Sequence, residues 1–316
     1  MKRIILWSTY YLATILVLLF LLEIGVRLFS SDVVTQGTDS SLLLEGRFGI
    51  TPGLQPNARG DVFGKTIVID ENGFLQNKCT SKKKKKKILI LGDSVTMGVG
   101  VDGDSTFVGK LQAYYCDSLQ IDNLSLIGYN VNDYERILNT LNKEKKIADY
   151  DEIIIFWCLN DNYLHAKNTT ATEENKVQSF FLTHSYLYCW LIKSRSDASL
   201  NYFNNDCAYY EDPASLKNLN DKISSIEKIR ASKKTCIIAL PYESQLRNFQ
   251  AVDLFPQRVL AEMMKGHPIG FKDCTTFLKS KSENSKDLYL YADGIHFSNE
   301  GHQAVFEYLL KNLPLN

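Results

Sequence analysis

Short apolar runs alternate with longer amphipathic stretches along most of this chain. Residues 88–91 (ILIL) and 152–158 (EIIIFWC, apolar after its first residue) predict strands buried on both faces, and 235–240 predicts another. A shorter apolar piece at 124–127 predicts a fourth. Between them, 106–115, 131–141, 216–229 and 256–265 carry the spacing of helices with one buried face, and 299–313 predicts a closing helix. Strand and helix in regular alternation imply an α/β domain, with a parallel sheet covered by helices on both faces.

The first residues break this rhythm. Lys2 and Arg3 precede a stretch, 4–22, that lacks any charge and is about as long as a bilayer core is thick. Extending it to residue 29 admits only Glu23 and Arg27. We expect an uncleaved signal anchor over 1–29, with a cytoplasmic N-terminus and the remainder exported. A cleavable signal peptide is the rival expectation, but no A-x-A-like site follows.

Residues 30–86 read as a polar stalk with short strands, including the turn Asp70-Glu71-Asn72-Gly73, and six lysines, 82–87, run across its end into the next segment. The lysines suit a solvated run before a strand, or else a patch for anionic headgroups or an acidic polymer. The catalytic candidate is 87–316. Within it, 162–213 interrupts the alternation as an insertion, with an amphipathic helix at 185–193 between loop-like flanks. Asn168-Thr169-Thr170 is a formal glycosylation sequon.

Hydrophobic residues make up 45% of the 316, enough for a sizeable core, and 36 basic residues balance 36 acidic ones. That balance removes the usual argument for a nucleic-acid partner. The seven cysteines show no zinc-ligand spacing. Cys158 and Cys236 fall inside apolar strands and read as core. Cys79, Cys189, Cys207 and Cys274 are the candidates for pairing in an oxidising compartment.

Four polar stretches stand at or near the ends of apolar runs, where open α/β sheets place ligands. They are Gly92-Asp93-Ser94, Ile127-Gly128-Tyr129-Asn130, Leu159-Asn160-Asp161-Asn162 and Asp293-Gly294-Ile295-His296. Ser94, where strand gives way to helix, suits a nucleophile; a serine hydroxyl needs a base, and His296 is the candidate. Asp293 can hold the other imidazole nitrogen. The amides of Ser94 and Gly128 and the side chain of Asn160 can donate to an oxyanion. Asp93 and Asp161 read as turn and network residues, and His165, His184, His267 and His302 as structural ones. A G-x-G-x-x-G at 98–103 begins too far past the strand to form a dinucleotide turn. A metal site of Asp93, Asp293 and His296 lacks a second histidine or cysteine at ligand spacing. We expect no cofactor and no metal.

In this order, the four stretches resemble the blocks of the SGNH hydrolases, also called the GDSL esterase/lipase family, over roughly 87–313. The resemblance implies a three-layer α/β/α, flavodoxin-like fold with Ser94, His296 and Asp293 as the triad. Ser94, Gly128 and Asn160 would form the oxyanion hole. One position departs: the third block usually reads Gly-x-Asn-Asp, and Cys158 replaces its glycine. A side chain there bears on acyl size, or on the placing of Asn160, more than on the reaction class. The apolar N-terminus, Asn72-Gly73-Phe74, the 185–193 helix and Leu288-Tyr289-Leu290-Tyr291 are similar to a membrane-anchored bacterial subgroup linked to acylation or deacylation of extracytoplasmic polysaccharides.

Two expectations follow for the reaction. One is hydrolysis of an O-acyl ester, foremost O-acetyl on an extracytoplasmic carbohydrate, with a lipid or lysophospholipid ester next. The other is transfer of the same acyl group to a sugar hydroxyl, served by a membrane acyl-donor partner. An anchored, inactive scaffold is the non-enzymatic alternative.

Overall fold

A computed structural model describes residues 2–76, 79, 86–163, 176–193, 197–230, 233–247, 254–313 and 315. Its elements in chain order begin with α1 (Lys2–Phe29), then two antiparallel pairs, β1 (Leu43–Phe48) with β2 (Thr51–Leu54) and β3 (Arg59–Val62) with β4 (Lys65–Val68). The domain proper then runs β5 (Lys86–Leu91), α2 (Ser94–Met97), α3 (Phe107–Tyr114), β6 (Leu119–Asn123), α4 (Val131–Lys143) and β7 (Glu152–Trp157). Next come α5 (Lys176–His184), α6 (Tyr186–Lys193), α7 (Ala198–Cys207), α8 (Pro213–Ile229) and β8 (Lys234–Ala239). It closes with α9 (Phe255–Met264), β9 (Gly270–Asp273), α10 (Thr275–Lys279) and α11 (Asn299–Asn312).

The central sheet is parallel, with order β6-β5-β7-β8-β9. β7 is buried along its whole length and β5 over its last four residues, because helices cover both faces. One layer pairs α4 with α8 and the other α3 with α11. The order reverses around β5, so the loops leaving β5, β6 and β7 diverge at one crevice. This is the α/β architecture that the pattern predicts.

The strand expected at 124–127 lies earlier, at β6. Polar residues disguise it: Gln120 faces outward, while Asp122 is bound by Tyr150 Oη at 2.9 Å and paired with Lys87 at 3.8 Å. Residues 124–127 are instead the loop that leaves the strand, tied to β5 where the Leu124 amide donates to Ile90 O. β9, half-buried at the sheet edge, carries no apolar run and escapes the pattern. The flanks expected to be loop-like contain α7, which Asp197 caps by accepting from the Leu200 amide. The 185–193 helix is present as α6.

The two hairpins pack onto the domain. Leu42, Phe48, Leu54, Val62 and Ile69 belong to the same core as the sheet, and Thr51 Oγ1 donates to Asp133 at 2.6 Å. Of the lysine run, Lys86 pairs with the buried Glu152 at 3.2 Å, whereas Lys82–Lys85 lie outside the described residues, as do His165 and the sequon. α1 is exposed almost throughout and is long and apolar enough to cross a membrane by length and composition.

The cysteine expectation needs correcting. Cys79 pairs with Cys116, at the end of the α3 region, and none of Cys189, Cys207 and Cys274 forms a disulfide. Cys274 instead donates its thiol to Ala239 O and Cys189 to Leu182 O. Cys116 escaped notice because nothing in its polar surroundings marks it as a partner.

Closing a loop of 37 residues removes entropy from the unfolded chain. Cys116→Ser should therefore lower unfolding free energy by about 2–4 kcal/mol. Denaturant titration of the full chain, with and without reductant, checks this; identical midpoints in both conditions would rule the bridge out.

Candidate functional site

β5 stops at Gly92 because the chain must turn tightly there. A Cβ on Gly92 would fall 2.2 Å from Thr96 Oγ1, too close for any side chain. Asp93 then caps the one-turn helix α2 by accepting from the Val95 amide at 2.9 Å, which sets Ser94 at its first position. Ser94 is buried except for a small exposed portion.

The loop before α11 supplies the partners. Asp293 Oδ1 accepts from the Ile295 amide at 3.1 Å, the His296 amide at 2.8 Å and the His296 ring nitrogen Nδ1 at 2.8 Å. With Nδ1–H donated to Asp293, Nε2 is free to accept from Ser94 Oγ, 2.9 Å away. Serine, histidine and aspartate, scattered in sequence, therefore form one hydrogen-bonded relay. The loop bends through Ala292 at φ 49° and Gly294 at φ 79°. Strain at Ala292, a residue with a side chain, is the kind that persists where surroundings over-determine the backbone. Those surroundings are visible: Gly294 O accepts from the Glu243 amide at 2.9 Å, and Ser199 of α7 packs on Gly294.

Burial works against a charged Asp293, but the charge of His296 and the hydrogen bonds from its ring and backbone outweigh it and hold the carboxyl well below its ordinary range. For His296, burial pulls the imidazole down; the charges of Asp293 and Asp93 more than reverse this, raising it above its ordinary value.

The other two loops meet the same crevice. The Leu126 amide donates to Gly92 O, tying the loop after β6 to the Ser94 turn. Gly128, two residues on, has φ 82°, which a residue with a Cβ adopts only under strain. Asn130 and Asp133 form a reciprocal cap on α4 that fixes this loop's exit. The amides of Ser94 and Gly128 donate to no carbonyl among the described residues.

Asn160, after β7, donates from Nδ2 to Asp93 Oδ2 at 3.4 Å, and its Oδ1 has no partner among the described residues. Its loop is held from below: Asp161 Oδ2 accepts from Tyr134 Oη at 2.9 Å and from the Cys158 amide at 3.0 Å. Tyr210 Oη donates to Leu159 O. Cys158 itself is fully buried in the core, where burial pushes its thiol well up, so it is inert packing.

Asp93 is the turn and network residue expected: one carboxylate both caps α2 and bonds Asn160. Two further participants are not evident from sequence. Phe63, at φ 51° in the β3–β4 turn, sets its ring edge-on to His296 with centroids 5.6 Å apart. Lys193, at the end of α6, lies near enough to the pair for its charge to act on Asp293 and His296. The last two come from segments distant in the chain, and no local pattern marks them.

The remaining described histidines are structural. His302 is fully buried, accepts from the Phe107 amide at 3.2 Å, and is held by burial at about 3. His184 closes α5, with Nδ1 at 2.8 Å from Phe180 O; His267 pairs with Glu227.

A cavity of about 580 Å³ lies against the Asp293–Gly294 side of the loop, edged by Glu243, Arg247, Lys286 and Tyr291. It is lined by neither Ser94 nor His296.

No curated protein matches the chain. Among solved structures it is similar to the lipase/acylhydrolase from Enterococcus faecalis, at 20% identity over 72% of this chain and 95% of that one, TM-score 0.43. A member of the lipolytic G-D-S-L family from Veillonella parvula is 15% identical over 74% and 100%, TM-score 0.44. The acetyl xylan esterase AlAXEase is 12% identical over 72% and 99%, TM-score 0.44. Residues 88–309, more than half of the sequence, match the family described as GDSL-like lipase/acylhydrolase, and the chain belongs to that family of ester hydrolases.

Proposed function

We propose that the protein is an anchored serine esterase that removes O-acyl groups, foremost acetyl, from an extracytoplasmic carbohydrate. The observation that carries the reaction is the relay Asp293–His296–Ser94, with both hydrogen bonds shorter than 3 Å. In this reading His296 Nε2 takes the proton as Ser94 Oγ bonds to the ester carbonyl carbon. The resulting oxyanion is received by the amides of Ser94 and Gly128 and by Asn160 Nδ2. Collapse expels the alcohol, protonated by His296, and leaves an acyl-Ser94 ester. Water, activated by the same imidazole, releases the acid.

Export is supported by the disulfide, which persists in oxidising compartments, and by the apolar α1. The carbohydrate part of this reading comes from the resemblance to membrane-anchored proteins linked to extracytoplasmic polysaccharides; the cavity edged by Glu243, Lys286 and Tyr291 is not lined by Ser94 and does not bear on it.

The full chain should release acid from p-nitrophenyl acetate, and Ser94→Ala should reduce kcat at least roughly 10⁴-fold with the fold retained. Adding an acetyl-acceptor oligosaccharide separates hydrolysis from transfer. Acid release that falls while acylated sugar appears would replace esterase by acyltransferase, and no turnover by folded protein would leave a scaffold.

The base works only when neutral, so activity should rise with pH as His296 loses its proton. Because Asp293 and Asp93 raise that pKa, the acid limb of kcat/KM should lie above the ordinary histidine value of 6.5. Asp293→Asn removes the stronger of these two influences, so the limb should move to lower pH while the plateau falls about 10⁴-fold. A limb that stays in place in Asp293→Asn would show that His296 is not the titrating base.

A further inference from the structure

α5 is amphipathic the wrong way round for a soluble domain. Val177, Phe180 and Phe181, at i, i+3 and i+4, are 61%, 57% and 42% exposed, and no residue of the helix is buried. On α6, Trp190 and Leu191 are 40% and 46% exposed. Phe181 lies against Tyr188 with ring centroids 5.4 Å apart, which joins the two helices into one apolar surface. Such a patch needs an occupant.

The occupant follows from where α1 meets this pair. Within α1 the charge-free stretch from Ile4 to Leu22 is about 28 Å long, close to the thickness of a bilayer core. Glu23 therefore falls where hydrocarbon ends. There it caps α6: its carboxylate accepts from the amides of Tyr186 at 3.0 Å and Leu187 at 2.9 Å and from Ser185 Oγ at 2.8 Å. Arg27, a turn further on, bonds Glu23 and His184 O and lies over the Tyr186 ring. The anchor is thus bolted to the start of α6 at the level of the membrane surface.

We infer that the α5–α6 pair rests its apolar face in the outer surface of the bilayer that α1 crosses, holding the Ser94 crevice at the membrane. This rests on reading α1 as a membrane span, and the partner is the lipid surface itself. Aromatic side chains such as Trp190 and Phe181 suit the headgroup boundary.

The active site shares this level. α6 is only about 12 Å long, and at its far end Lys193 donates to Val34 O, beside the relay. Asp32, three residues past α1, accepts from the Tyr291 amide, two residues before Asp293. Tyr186 meets the Phe63–Gly64 turn that touches His296. Little chain separates the membrane boundary from the chemistry, so an ester carried on or beside a lipid would reach Ser94 directly.

Tryptophan fluorescence tests this, because Trp157 is fully buried and only Trp7 and Trp190 are exposed. The full chain is reconstituted in phosphatidylcholine vesicles, with or without lipids brominated just beneath the headgroups. Retained p-nitrophenyl acetate hydrolysis confirms folding of each variant. In Trp7→Phe, bromolipid should quench the emission of Trp190, and that quenching should be lost in the double variant Trp7→Phe/Trp190→Phe. Equal quenching in these two overturns the inference. In Trp190→Phe, Trp7 is the one exposed tryptophan left beside the buried Trp157: loss of quenching there overturns the anchor on which the inference stands. Quenching there but none in Trp7→Phe overturns only the seating of α5 and α6.

Discussion

One carboxylate oxygen organises the candidate site. Asp293 Oδ1 gathers the Ile295 amide, the His296 amide and the His296 ring, so a single acceptor shapes the loop and sets the imidazole's direction. The ring could not face Ser94 without the turn, and the turn needs the carboxylate as its internal cap. The price is a charge taken out of water, which three N–H donors and an adjacent imidazole offset. That compensation also raises the pKa of His296, so the direction and the basicity of the imidazole have one cause.

A parallel sheet brings its strand ends to one edge, which is why the loops after β5, β6 and β7 converge, and the loop before α11 is brought to the same edge by its own contacts. Convergence alone would leave them loose. Here each is braced by a neighbour: the Ser94 turn by Asp93, the Gly128 loop by the cap on α4, the Asn160 loop by Asp161 with Tyr134, and the His296 loop by α7 and Asp32. The segments outside the sheet thus take part in the site. The β3–β4 turn places Phe63 on His296, and α6 brings Lys193 towards Asp293.

The central strands and covering helices were legible because burial on both faces leaves an apolar run that polar neighbours cannot mask, as in EIIIFW of β7. β6 and β9 were not, since sheet-edge strands keep polar residues such as Asp122 and Lys272 that pair or face solvent. The candidate residues themselves were readable from four short blocks, three after strands of the sheet and one before the closing helix. Their braces were not: Phe63, Lys193 and the Cys79–Cys116 bridge come from contacts distant in the chain, which leave no local pattern. Cys158, fully buried in the core, ties the Asn160 loop through its backbone: its amide donates to Asp161 Oδ2 and its carbonyl accepts from the Asp161 amide.

The central claim is that His296 makes Ser94 a nucleophile. A fluorophosphonate, which bonds irreversibly to an activated serine, tests it when the labelled residue is mapped by peptide mass spectrometry. The account predicts one adduct, on Ser94, that disappears in His296→Ala. An adduct on another residue, or none on folded protein, would contradict it.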